Sequence, residues 1–133
     1  MNQRVSSSFS LLAFIFFLII NVAQAQAKVT YELECMVDRK LDRQNEYSRD
    51  RIDEMRWSVI IRHHDEAYAT VSRCDTLAPC DDYRVDHFEF DRNVNASKYY
   101  YFRGQFDVQV FSDGRFIENN GRGTLAFGRC SGK

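Results

Sequence analysis

The side chains best suited to binding a ligand lie together near the C-terminus. Two arginines, a glutamate and two asparagines flank a predicted tight turn at Asn120-Gly121. Guanidinium groups bind carboxylates through two parallel hydrogen bonds, and side-chain amides both donate and accept them. We therefore predict that this hairpin binds a carboxylate, a sugar or the loop of a partner protein. The predicted binding residues are Arg115, Glu118, Asn119, Asn120 and Arg122.

The same residues also have a purely structural interpretation. In that interpretation Asn119 and Asn120 only shape the turn. Arg115 and Glu118 then form an exposed ion pair that contributes less than about 1 kcal/mol.

A second candidate surface lies in residues 98–112, where apolar and polar residues alternate with a period of two. Tyr99 and Tyr101 fall on the mostly polar side of this pattern, followed by Arg103 and Gln105. Outward-facing aromatic side chains can stack on sugars or fill a partner's pocket. The alternative is that both tyrosines pack beneath the charged segment 38–56.

The sequence contains none of the common catalytic motifs. It has no Gly-x-Ser-x-Gly elbow, no phosphate-binding glycine loop and no His-Glu-x-x-His pair. His63 and His64 precede two carboxylates, but neighbours on a strand point to opposite faces, so we expect a solvated turn there and no metal. No cofactor is expected either.

These observations favour an exported, non-enzymatic binding module that recognises a protein or an envelope glycan. Two alternatives stay open. One is a small periplasmic hydrolase that uses carboxylates or His87, which lies between acidic residues. The other is a structural envelope protein without a discrete site.

The first 27 residues have the features of a signal peptide. Arg4 is the only charged residue before Lys28, residues 11–20 are uninterruptedly apolar, and small residues follow at Ala23, Ala25 and Ala27. The apolar run is about half the length that crosses a bilayer, so we expect cleavage and no membrane anchor. The alanine-rich ending indicates a periplasmic location, with secretion as the alternative.

Residues 28–133 are predicted to form a single domain with 17 basic and 19 acidic residues, a net charge of −2. No basic excess indicates binding to nucleic acid or to an anionic membrane. The sequence does not define an oligomeric state.

The four cysteines predict two disulfides, because an even number in a small exported domain is typical of disulfide bonding. Three pairings are compatible with the sequence. We favour Cys74–Cys80, which closes a short loop, and Cys35–Cys130, which joins the first strand to the last. Zinc binding is disfavoured because no Cys-x-x-Cys spacing is present.

The alternating segments predict an all-β fold, a small antiparallel barrel or sandwich of about seven strands. Residues 98–112 form its central strand, bent at Gly104, and residues 83–90 a strand whose apolar phase slips near Asp86-His87. Segment 38–56 is predicted to be a long solvated loop, with one helical turn near residues 48–53; the alternative is a surface that docks a partner. In architecture this outline resembles the periplasmic lysozyme inhibitors, although no motif of that family is present to assign site residues.

Overall fold

The computed structural model describes residues 27–65 and 68–132. The predicted signal peptide therefore lies almost entirely outside the described residues. The elements are β1 (Val29–Asp42), β2 (Asn45–Glu46), α1 (Arg49–Met55), β3 (Ser58–His64), β4 (Tyr68–Cys74), β5 (Asp81–Arg84), β6 (His87–Asp91), β7 (Ala96–Tyr101), β8 (Phe106–Phe111), β9 (Arg115–Asn119) and β10 (Thr124–Gly132). The fold is all-β, as the sequence predicts, but the described residues form ten strands instead of about seven.

These strands belong to one antiparallel sheet, curled into a half-barrel, with β10 in the middle of the strand order. The strand order is β5-β4-β3-β1-β10-β9-β8-β7-β6, and the short β2 pairs with the end of β1. Leu33, Cys35 and Val37 of β1 alternate toward the concave face, where Cys35 and Val37 are buried. A bulge between Val37 and Arg39 interrupts the pairing of β1 with β10.

The two edge strands of the sheet are consecutive in the chain. The Val85 N–H donates to the carbonyl of Ala69 in β4, and the next N–H, that of Asp86, donates to the carbonyl of Tyr100 in β7. The chain thus leaves one edge of the sheet and joins the other within two residues. This change of partner explains the slip in apolar phase near Asp86-His87.

The core fills the concave face of the curled sheet. It consists of alternating residues from most strands and buries Phe116, Ile61, Val108 and Val71 almost completely. Burying a side chain of this size stabilises a fold by about 1.5–3 kcal/mol. Trp57, directly before β3, is half-buried and packs against this cluster.

Both favoured disulfides are present. Cys35–Cys130 joins the paired strands β1 and β10, and Cys74–Cys80 closes the β4–β5 loop. Disulfides of this kind are typical of exported proteins. Within residues 27–65 and 68–132, no helix is long and apolar enough to cross a membrane.

The predicted single strand over residues 98–112 is wrong. Residues 102–105 form a turn in which Gln105 has a φ of 55° and its N–H donates to the carbonyl of Phe102. Tyr101 and Phe106 pair directly across the resulting hairpin, and directly paired residues point to the same face. The inward positions therefore change from odd to even numbers across the turn, which the uninterrupted alternation concealed.

The predicted long loop over residues 38–56 is also largely wrong. It contains the end of β1, β2 and α1, and only the helical turn was anticipated. Ser48 caps α1 by accepting a hydrogen bond from the Arg51 N–H, while Ile52 and Met55 bury one face of the helix. Its charged residues pair with each other on the exposed side, as do Arg49 and Asp53.

Residues 120–123 connect β9 and β10, so the predicted two-residue turn at Asn120-Gly121 is replaced by a longer one. The Asn120 N–H donates to the carbonyl of Thr124, and Gly121 and Gly123 both have positive φ values. The second glycine permits this longer connection, because both left-handed positions fall on residues without a Cβ.

Candidate functional site

Four connections lie at the same end of the sheet, which we call the loop end. They comprise residues 43–44, 75–80, 102–105 and 120–123. The Arg43 N–H donates to the carbonyl of Gly123, which joins the first of these connections to the last. The turns at residues 92–95 and 112–114 lie at the opposite end of the sheet.

A cavity of about 390 Å³ opens at the loop end, between the turn 102–105, the turn 120–123 and the start of β5. We call it the loop-end cavity. Tyr83, Tyr101 and Phe106 form its aromatic wall, with ring centroids 5.0–5.2 Å apart. Its charged lining residues are Arg73, Asp81, Arg103 and Arg122, and Asn120 supplies an amide. The lining of the cavity therefore combines three guanidinium groups and one carboxylate with an aromatic surface.

Two of the three arginines are available to a ligand. Within the part of the chain that the structure describes, the side chains of Arg103 and Arg122 form neither an ion pair nor a hydrogen bond, and both residues are exposed. Guanidinium groups that line a concave surface without a partner provide hydrogen-bond donors for an incoming anion.

The third arginine has a partner below the cavity. Nε of Arg73 lies 2.5 Å from Oε1 of Glu118, a carboxylate that is almost completely buried. The Nε–H bond is not aligned with that oxygen, so the contact is an ion pair and not a straight hydrogen bond. Glu118 thus neutralises Arg73 and fixes its position at the base of the cavity.

A smaller cavity, of about 180 Å³, shares Arg73 and Asp81 with the loop-end cavity. The Lys40 ammonium lies over the ring of Trp57 here, 3.7 Å from its centroid. Burial lowers the pKa of Lys40 from its ordinary value, while the negative charge of Glu118 opposes this shift. The two cavities therefore adjoin at Arg73 and Asp81, and the smaller one is lined mainly by polar and charged residues.

The walls of the loop-end cavity are held by contacts between its loops. A Cβ atom at Gly121 would overlap the carbonyl oxygen of Gln105, so the two turns touch through their backbones. The hydroxyl of Thr76 donates to the carbonyl of Glu54, which ties the Cys74–Cys80 loop to α1. These contacts hold the turns around the cavity in place.

The two predicted asparagines support the turn. Oδ1 of Asn119 accepts from the Gly121 N–H, and Oδ1 of Asn120 accepts from the N–H groups of Arg122 and Thr124. Asn119 also donates to Asp107. Asn120 contributes to the cavity lining, whereas Asn119 does not.

Arg115 lies away from the loop-end cavity. It lines a larger cavity, of about 450 Å³, over β9 and β10. Its Nε is 2.6 Å from Oδ2 of Asp113, and its guanidinium lies over the ring of Phe111. The backbone N–H of Arg115 is the main cause of the lowered pKa of Asp113. Because Arg115 already has a carboxylate partner, we place the candidate site at the loop end despite the larger volume here.

The predicted outward pair of tyrosines is corrected by the structure. Tyr99 is buried in the core, and its hydroxyl lies 2.9 Å from Nε2 of His63. Burial raises the pKa of Tyr99 to about 12. Tyr101 also points inward but is half-buried and lines the loop-end cavity. The prediction assigned both residues to the outer face because it missed the turn at 102–105.

His87 lies on a different strand from His63 and His64. His63 and His64 are consecutive residues of β3 and not part of a turn, and His64 stacks on Tyr68. His87 is exposed on β6, where its Nε2 lies 3.5 Å from a Glu89 carboxylate oxygen and its ring stacks on Tyr100. Among residues 27–65 and 68–132, no group of three or more histidine, cysteine or acidic side chains is arranged to hold a metal ion.

Four lining residues did not stand out in the sequence as site residues: Arg73, Asp81, Tyr83 and Phe106. A signal for two of them existed, since Arg73 and Asp81 immediately flank the predicted Cys74–Cys80 loop and pair across β4 and β5. No sequence signal placed them beside Arg122, because that proximity depends on the curling of the whole sheet.

Comparison of the chain with known protein families, with characterised proteins and with solved structures finds no match.

Proposed function

We propose that this protein is an exported, non-enzymatic binding module that recognises a protein or an envelope glycan through the loop-end cavity. The observation that carries the proposal is that the guanidinium groups of Arg103 and Arg122 both line the cavity. Neither group has an ion-pair partner in the described part of the chain. Ligand sites are commonly concave and aromatic, with a few converging polar groups.

The arrangement suits binding better than catalysis. The most buried carboxylate at the site, Glu118, is already paired with Arg73, and His87 lies outside the cavity lining. The groups that line the cavity can orient and hold an anion. We therefore retain the non-enzymatic interpretation over the hydrolase alternative.

The test is affinity capture with the full chain, purified in oxidised form, immobilised and exposed to a cell-envelope extract. We expect one component to be retained stoichiometrically and to be lost when Arg103→Ala and Arg122→Ala are combined. Arg115→Ala is the matched control, because it removes a guanidinium from the opposite end of β9 and should leave retention unchanged.

Two results would contradict the proposal. Retention that survives the double substitution but is lost with Arg115→Ala would move the site to the cavity over β9 and β10. Turnover of a defined substrate that His87→Ala abolishes, with no component retained, would favour the hydrolase.

A further inference from the structure

We propose that the loop-end cavity binds the carboxylate-bearing ring of an acidic polysaccharide and that Phe102 stacks on a neighbouring ring of the same chain. This inference rests on the proposed function and names the ligand of the same site.

The charges of the cavity select an anion. Arg103 and Arg122 have no ion-pair partner within the described residues, Arg73 is neutralised by Glu118, and Asp81 is the one carboxylate in the lining. A sugar carboxylate that reaches Arg103 and Arg122 would accept charge-assisted hydrogen bonds from both. Such bonds are about twice as strong as bonds between neutral groups.

The wall of the cavity suits a sugar ring. Tyr83 and Tyr101 line the cavity with aromatic rings that carry phenolic hydroxyls, and the rings of Tyr83 and Phe106 form a T-shaped pair. The C–H faces of a pyranose are apolar and its rim is polar, so it matches aromatic surfaces that carry polar groups at their edges. A volume of about 390 Å³ accommodates a ligand of one or two rings.

An exposed aromatic stack adjoins the cavity on the outer face of the same turn. Phe102 directly precedes Arg103, is 64% exposed and stacks on Tyr100, which in turn stacks on His87. The Phe102 N–H donates to the Asp86 carboxylate at 2.7 Å, so the backbone under the ring is anchored. A flat, fixed and uncovered ring beside an anion site is suited to stacking against a second sugar.

These features favour a glycan over a protein. A stable protein interface covers about 800 Å² on each partner around an apolar centre. The loop end instead offers a small polar concavity and one narrow row of rings, which match a single extended chain of sugar units.

The experiment is titration calorimetry with the full oxidised chain and three uronate tetrasaccharides, built from galacturonate, mannuronate or glucuronate with N-acetylglucosamine. The carboxyl-reduced form of each, and tetraglutamate, are the comparison ligands. We expect at least one uronate tetrasaccharide to bind and its carboxyl-reduced form to bind at least about tenfold more weakly. Arg122→Ala should weaken uronate binding similarly, Arg122→Lys less so, and Arg115→Ala not at all.

The stacking step has its own matched pair of variants. Phe102→Ala should weaken the tetrasaccharide severalfold and leave the corresponding monosaccharide unchanged. Phe90→Ala, at the opposite end and 56% exposed, should change neither. Thermal unfolding of each variant verifies that it is folded. If Arg122→Ala does not fold, Arg122→Lys, which retains the positive charge, is compared with the original chain instead.

Failure of the acidic-sugar proposal is distinguishable from failure of the binding module. One outcome is that none of the three uronates binds, whereas an envelope component or tetraglutamate does bind and this binding is lost in the Arg122→Ala variant. The proposed ligand class is then wrong and the proposed site is right. If Arg103→Ala and Arg122→Ala leave the affinity for the uronate unchanged, the proposals of a loop-end binding site and of an acidic-sugar ligand are both wrong. Equal effects of Phe102→Ala on tetrasaccharide and monosaccharide would overturn the second subsite.

Discussion

The backbone of Gly121 lies directly against the carbonyl group of Gln105. Gly121 has a φ of 69° and leaves no room for a Cβ atom, and Gln105 itself has a positive φ. The β7–β8 and β9–β10 turns, which carry Arg103 and Arg122, are therefore held together by a backbone contact. The relative position of the two turns depends on this contact.

Gly121→Ala should lower the free energy of unfolding by about 1–3 kcal/mol, because the new methyl group meets backbone and the conformation is unfavourable for alanine. Urea denaturation measures the change. Gly132→Ala is the control, since nothing lies within 4 Å of a Cβ at that position. Equal effects of the two substitutions would contradict a tight contact at Gly121.

Removing the charge of Glu118 should destabilise the fold more than removing an exposed carboxylate. Glu118→Gln leaves the guanidinium of Arg73 partly buried without its counter-ion, which costs about 1–3 kcal/mol. Asp113→Asn, at the exposed pair with Arg115, should cost less than about 1 kcal/mol. Urea denaturation of both variants at pH 7 makes the comparison, and a smaller loss for Glu118→Gln would contradict the account.

Stability should decrease in mild acid through His63. Burial is the main cause of its lowered pKa, and the neighbouring His64 adds to it. The unfolded chain, with an ordinary histidine pKa of about 6.5, then binds more protons than the folded protein between the two pKa values. The free energy of unfolding therefore falls as the pH drops below about 6.5.

Urea denaturation at pH 7.5 and pH 5.5 measures this loss, and His63→Phe should reduce the difference while keeping an aromatic ring beside Phe88. The same substitution at the exposed His87 is the control and should leave the difference in place. An unchanged difference in the His63→Phe variant would contradict the assignment.

The two disulfides should contribute unequally to stability. Cys35–Cys130 spans 95 residues of sequence and Cys74–Cys80 spans six. Loop-closure entropy gives about 4.7 kcal/mol for the first and about 2.2 kcal/mol for the second. Paired cysteine-to-alanine variants, compared by urea denaturation, should show the larger loss for Cys35 with Cys130. The reverse order would show that chain entropy does not determine their contribution.

Local patterns in the sequence predicted much of the scaffold. The alternating segments, the helical turn near residues 48–53 and the cysteine pairing all depend on neighbouring residues or on general rules of exported domains. The turn at residues 102–105 was not predicted, because the alternation of apolar and polar residues continues through it. Tyr99 was therefore assigned to the wrong face of the sheet.

The candidate site was only partly predictable. Arg122 and Asn120 stood out because they adjoin a glycine-containing turn, and Arg103 because it continues a polar strand face. Arg73 and Tyr83 meet them only because the sheet curls and its edge strands are joined at Val85-Asp86, a long-range arrangement that no local pattern encodes. Arg115 was grouped with Arg122 by sequence distance, but the length of β9 separates them.

The most direct test of the account is to map where an envelope ligand binds. The ¹⁵N-labelled full chain is titrated with the component retained in affinity capture, and its backbone amide shifts are followed by NMR. We predict that the largest changes in amide shift occur in residues 102–105 and 120–123, and that the amides of Arg73 and Tyr83 also shift. Changes centred on Arg115 and the turn at residues 112–114, with the loop end unaffected, would contradict it.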